Sequence, residues 1–232
     1  MICVRPRGRA GRRRRLSEAA IGGARRRLLR WWRLHGRDFP WRRTRDPYAV
    51  AVAEILLRRT RAEAVAPVYT SFMRKFPDAR ALARARAADI FGLLRPLGLR
   101  WRAANLVEIA RRLRKTDGNP FGDPVLLRGL PGVGDYVASA VAVFALGRAA
   151  PVVDANTARV AGRFFGITTR SELRRSRAVR EALGNLVGSR RAREVNLALI
   201  DLGALVCRPA LPRCPECPLE PDCMKAGVRR CE

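Results

Sequence analysis

Lysine is nearly absent from this chain: Lys75, Lys115 and Lys225 are the whole complement, against 45 arginines. Amine nucleophiles are therefore scarce, and imine-forming chemistry has few places to occur. Acids are scarce too, 20 against 48 bases, which sets the formal net charge at +28 and the isoelectric point near 11.7. A GC-rich coding sequence accounts for arginine over lysine but not for the excess over acids. The natural partner is a polyanion, with nucleic acid ahead of an anionic membrane. No apolar run approaches the roughly 18 residues that span a bilayer, and Arg12–Arg15 is not followed by a signal-type apolar core. The expectation is no membrane and a cytoplasmic, nucleoid-associated location. No alternating strand pattern of useful length appears either, which excludes a sheet-based fold and leaves an all-α protein.

What is present is unevenly spread. Residues 1–45 carry 16 Arg against Glu18 and Asp38, a net of +14, so the remaining chain is basic in its own right. The stretch Arg5–Arg15 has no apolar periodicity and reads as a disordered basic arm over residues 1–16 that adds phosphate affinity, or as a misassigned start. At this length a chain buries about 70% of its unfolded surface, enough for one large or two small domains.

Helical periodicity predicts helices near 17–35, 47–60, 62–75, 80–94, 101–115, 124–128, 155–165 and 172–187. Two more are strongly apolar. Tyr136–Leu146 places Val137, Ala140, Val141, Phe144 and Ala145 on one face, and Val195–Leu205 carries a similar stripe. Between 124–128 and 136–146 lies Leu130-Pro-Gly132-Val133-Gly134. Two glycines one residue apart let the backbone turn sharply and bring bare N–H groups to a helix N-terminus, where the peptide dipoles favour a phosphate. Such a clamp holds backbone and reads no sequence.

Four cysteines, Cys207, Cys214, Cys217 and Cys223, follow the last apolar helix with the spacing C-x6-C-x2-C-x5-C among five prolines. The set suits a compact tetrahedral thiolate metal site. Zinc is the first rival, although only Cys214 and Cys217 form a short knuckle, and disulfides suit a reducing compartment poorly. Cys3 and Cys231 lie outside the set. Asp154, in Pro151-Val-Val-Asp154-Ala-Asn156, reads locally as a helix N-cap. Glu54, alone in the apolar segment Ala53-Glu54-Ile-Leu-Leu-Arg58-Arg59-Thr60, reads locally as an ion-pair partner of Arg58 one turn on.

Taken together, the cysteine spacing, the helix–LPGVG–helix segment and VDAN with its following Arg-Val resemble the helix-hairpin-helix DNA glycosylase superfamily of endonuclease III and the MutY-type enzymes, over roughly residues 25–224. The resemblance implies a two-lobed fold: a helical barrel over 44–148 with the hairpin, a second lobe from 17–43 plus 149–224, and a tail at 225–232. It implies a structural 4Fe-4S cluster on the four cysteines, Asp154 as the catalytic carboxylate and Glu54 in the base pocket. Tyr136 takes the position where lyase members carry Lys, and with Asp154 flanks the expected cleft. A monofunctional glycosylase without lyase activity is therefore expected.

Within the superfamily, Thr44-Arg-Asp-Pro-Tyr48, Glu54–Thr60, LPGVG-x-Y and VDAN are similar to the Mig-type thymine-DNA mismatch glycosylases. The adenine branch has Gln-Gln-Thr where this chain has Arg58-Arg59-Thr60, Gly-Leu-Gly-Tyr where it has Leu97-Gly98-Leu99-Arg100, and Asp-Gly-Asn where it has Asp154-Ala-Asn156. The chain also ends just after the cysteine loop, where adenine glycosylases add a further domain. The expected substrate is T or U mispaired with G in double-stranded DNA. Arg59 and Leu99 would act as wedges, with plain phosphate contact the alternative for Arg58 and Arg59, and Arg100 joins the DNA-binding set. A monomer is expected, handing its abasic product to an AP endonuclease. An adenine glycosylase without its C-terminal domain and a catalytically silent DNA-binding protein are the alternatives.

Overall fold

The computed structural model describes residues 16–98, 100–115, 120–169 and 172–228. The basic arm through Arg15, Cys3, Leu99 and Cys231 lie outside the described residues. Every regular element among those described is helical, and no described helix is long and apolar enough to cross a membrane. The helices are α1 (Glu18–His35), α2 (Pro47–Leu57), α3 (Ala62–Lys75), α4 (Ala79–Ala83), α5 (Ala87–Leu94), α6 (Arg100–Leu113), α7 (Pro124–Arg128), α8 (Asp135–Phe144), α9 (Ala155–Phe165), α10 (Arg177–Val187) and α11 (Ala192–Leu205).

The chain divides into two compact units. One is residues 38–148; the other combines the segment through Arg37 with everything from Ala149 onward. Residues 38–43 thus group with the first unit rather than with α1, because Phe39 stacks on Trp41, whose ring meets Tyr69 of α3 edge-on.

The 38–148 unit is built around α2. Asp46 caps it by accepting from Tyr48 N–H, Pro47 presets its first turn, and every residue from Tyr48 to Leu56 is buried. A helix apolar on all sides must be covered on all sides, and α3 and α8 pack against it. The single helix expected over 80–94 is two, α4 and α5. Arg114, just past the end of α6, bonds the carbonyls of Ala83 and Ala85, satisfying the backbone acceptors that the break exposes. Likewise α2 stops at Leu57, where the chain turns through Arg58–Thr60, and the segment expected as 172–187 begins as a 3-10 turn before α10. Lys75 closes this unit's surface with an ion pair to Asp89.

In the other unit α11 packs on α9 and α1, and α10 on both as well. Asp201 of α11 is wholly buried and accepts from Trp32 Nε1 (3.0 Å), Arg37 N (3.1 Å) and Arg37 Nε (2.7 Å). These bonds satisfy a carboxylate that would otherwise be costly to bury. They also hold the end of α1 against α11.

Candidate functional site

The LPGVG segment folds as a hairpin between α7 and α8. Gly132 adopts φ +76°, and a Cβ built there would lie 2.2 Å from Asn105 Nδ2, so both conformation and space require glycine. Leu130 and Val133 point inward and are buried; they contribute backbone rather than side chain to the exposed turn. Gly134 caps α8 without a side chain, so the first-turn amides of α8 have no side-chain acceptor there. Two arginines brace the turn from outside. Arg58 Nη1 donates to Gly132 O (2.8 Å) and Arg112 Nη1 to Gly129 O (2.8 Å). Arg58 also lies over the Trp101 ring, 4.8 Å from its centroid.

Arg58 is thus engaged by the hairpin carbonyl and by an indole, contacts that its expected part as a wedge or phosphate contact did not include. Arg59 beside it is exposed and sits in the left-handed region, φ 58°. Arg100 is exposed at the start of α6. Glu54 is only 6% exposed on α2, so its carboxylate lies in the interior of the unit. Tyr136 is half-buried in the first turn of α8.

Asp154 is the N-cap of α9, as its local sequence indicates. Its Oδ1 accepts from Thr157 N–H (2.7 Å), and its own N–H donates to Thr157 Oγ1 (2.9 Å), a reciprocal capping box. Asn156 Nδ2 approaches Oδ2 at 3.4 Å. The strand of backbone leading into Asp154 is fixed by a residue that sequence reasoning missed. Asn196, fully buried on α11, accepts from Val152 N–H (2.8 Å) and donates to the carbonyls of Ala150 (2.9 Å) and Ala192 (2.8 Å). Gly203 on the same helix leaves room for Asn156, whose Cβ would lie 2.5 Å from a Cβ at that position.

From Asp154 the chain of contacts runs to the cysteines. Arg159 Nη2 donates to Asn156 Oδ1 and Gly203 O, both at 2.8 Å, and its Nε donates to Cys207 O (2.8 Å). Arg163 Nη1 donates to Arg208 O (2.7 Å) and lies 3.4 Å from Cys207 Sγ. All four thiols are free, not disulfides, and all four line one cavity together with Arg163, Arg213 and Lys225. Burial, reinforced by the neighbouring thiols of Cys207, Cys223 and Cys214, pushes the Cys217 thiol up to about 12. Burial pushes Cys223 up as well. Among the described residues no three His, Cys, Asp or Glu side chains close into a group that could hold a single metal ion. Glu220 lines the same cavity, so the four sulfurs share it with three cations and one carboxylate. Arg27 of α1 steadies the loop by bonding Pro218 O (3.0 Å) and Asp222 Oδ2 (2.5 Å), and Lys225 pairs with Glu220.

The resulting inventory is a glycine hairpin opening α8 in one unit and a capped carboxylate braced by a cysteine loop in the other. Comparison with known proteins gives the chain its family. The thymine-DNA glycosylase of Aeropyrum pernix is 36% identical over 215 residues, 90% of this chain and 96% of that protein. The thymine/uracil-DNA glycosylase of Pyrobaculum aerophilum is 38% identical over 201 residues, 83% and 86% of the two chains. The human adenine DNA glycosylase is 37% identical over 84% of this chain but only 38% of its own length. The solved structure of a thermostable thymine-DNA glycosylase superposes with a TM-score of 0.79 at 33% identity, covering 88% of this chain and 95% of that one. An endonuclease III–DNA complex shares the fold at TM-score 0.74 and 21% identity. With residues 52–186 matching the family model for HhH-GPD superfamily base excision DNA repair proteins, the chain belongs to that superfamily and is a DNA glycosylase.

Proposed function

We propose that this enzyme excises thymine or uracil mispaired with guanine by hydrolysis, leaving an abasic site for an AP endonuclease. The observation that carries the reading is the similarity to thymine-DNA glycosylases across most of both chains. The hairpin amides at Gly132 and Gly134 would grip one phosphate. The mispaired nucleotide would swing out of the stack at a cost of a few kcal/mol, lower for a mismatch than for a paired base. Arg59, exposed in its left-handed turn, has the position and charge to enter the gap.

Asp154 would stabilise the cationic sugar as the glycosidic bond lengthens and orient water toward C1′. Its capping box fixes the carboxylate before substrate arrives. Glu54 would hydrogen-bond the polar edge of the extruded pyrimidine, which leaves as an anion. Tyr136 cannot form an imine, so strand cleavage is not expected.

For Cys207, Cys214, Cys217 and Cys223 a 4Fe-4S cluster is the reading that suits four free thiols around one cavity. When bound it would lend rigidity to the loop and no hydrolytic chemistry. Arg163, Arg213 and Lys225 would offset its charge.

The test is a panel of labelled duplexes treated with alkali to reveal abasic sites. T and U opposite G should be released well before A opposite G or 8-oxoguanine. The rival reading, adenine excision, has a specific support in the comparable identity to the human adenine glycosylase over 84% of this chain. Faster release of adenine would establish it in place of thymine.

A further inference from the structure

Arg102 is 1% exposed, the largest fully buried side chain among the described residues. It falls on the apolar stripe of α6 with Ala103, Leu106, Ile109 and Ala110. Among the described residues no carboxylate figures in its environment; burial lowers its pKa, and the nearby Arg58 lowers it further. A lone guanidinium is a poor way to fill a core, and an aliphatic side chain of similar volume generally serves stability as well or better. What an aliphatic residue cannot do is bond two carbonyls at once. Arg102 Nη1 bonds Leu56 O at the end of α2, and Nη2 bonds Leu97 O (2.9 Å) in the turn before α6.

These two carbonyls open the turns Arg58–Thr60 and Leu97–Gly98. The next residue in the network, Trp101, has Arg102 on its ring at 5.8 Å and Arg58 at 4.8 Å. Arg58 in turn holds Gly132 O of the hairpin, and Asn105, one turn beyond Trp101, packs against Gly132. Three turns from distant parts of the sequence are therefore tied to the first turn of one helix. Exposed Arg59, Arg61, Arg95 and Arg100 flank them, a charge pattern that suits one face laid on a polyanion.

We propose that Arg102, acting through Trp101 and Arg58, is a positioning residue that sets the spacing of these three turns, and so the fit of the enzyme to duplex DNA at the moment of base extrusion. The planar fork of arginine reaches both carbonyls, whereas lysine offers one point charge and can satisfy only one. The inference rests on base extrusion during excision; it does not depend on which base is released.

The test compares single-turnover release of the preferred base from a mismatched duplex with release of the same base from a single strand, where it is already unstacked. The enzymes are wild type, Arg102→Lys, Arg102→Met and Arg58→Met. The last variant alters an exposed side chain and keeps the test alive should the buried position not tolerate change. Arg102→Lys and Arg58→Met should lose about 10- to 100-fold on the duplex, the scale of a misplacement near 1 Å. They should stay within about twofold on the single strand, since the chemical step is untouched. 2-Aminopurine beside the mismatch should brighten less with the variants than with wild type. Equal losses on both substrates, or none on either, would overturn the proposal. If wild type prefers adenine, the same ratio is measured with adenine, and only the thymine reading falls.

Discussion

At Asp154 one carboxylate oxygen is committed to the Thr157 amide, and the other lies 3.4 Å from Asn156 Nδ2. Capping and catalysis ask different things of that side chain. The cap needs an acceptor, and Asn supplies one as well as Asp does; the cationic sugar needs negative charge. Asp154→Asn should therefore change stability by less than about 0.5 kcal/mol, retain duplex binding and lose about 10²-fold or more in excision rate. Thermal melts, a binding titration and a single-turnover assay check the three parts, and normal excision would reduce Asp154 to a cap. Gly132 tests the other functional residue type, one chosen for lacking a side chain. Gly132→Ala must place a Cβ at φ +76° against Asn105, costing about 1–3 kcal/mol of strain. Fluorescence anisotropy on undamaged duplex should show weakened binding while helical circular dichroism is kept.

Among the elements, α2, α8, α11 and the hairpin are legible in the sequence, because apolar periodicity and glycine chemistry act over a few neighbouring residues. The division into α4 and α5 is not. It depends on Arg114, about thirty residues away, accepting the task of capping Ala83 and Ala85. Asn196, Arg159 and Arg102 escape sequence reading for the same reason: their partners are carbonyls 40 or more residues distant for at least one bond each. Arg102 alone left a trace, as a charge on the apolar stripe of α6. Local reading gave Asp154 as a cap, which the structure bears out geometrically, while its chemistry came from resemblance. The cysteine loop yields an element-scale prediction. Purified anaerobically, the protein should be yellow-brown and contain iron and sulfide. Cys217→Ser should lose iron and loosen the contacts that Arg163 and Arg159 make with the start of the loop, visible as faster amide exchange at residues 207–209. Stoichiometric zinc without iron in the wild type would rule the cluster out.

For the whole molecule, a formal charge of +28 makes counterion release a large part of DNA affinity. Raising salt from about 50 to 200 mM should weaken duplex binding about 10³- to 10⁵-fold if 6–10 phosphates are contacted. Nearly all that charge is guanidinium. The product of any DNA glycosylase is an abasic sugar whose ring opens to an aldehyde, and free amines condense with aldehydes. Guanidinium groups stay protonated and do not. Two of the three lysines, Lys75 and Lys225, are held in ion pairs with Asp89 and Glu220. A surface so poor in amines offers that aldehyde few groups with which to cross-link.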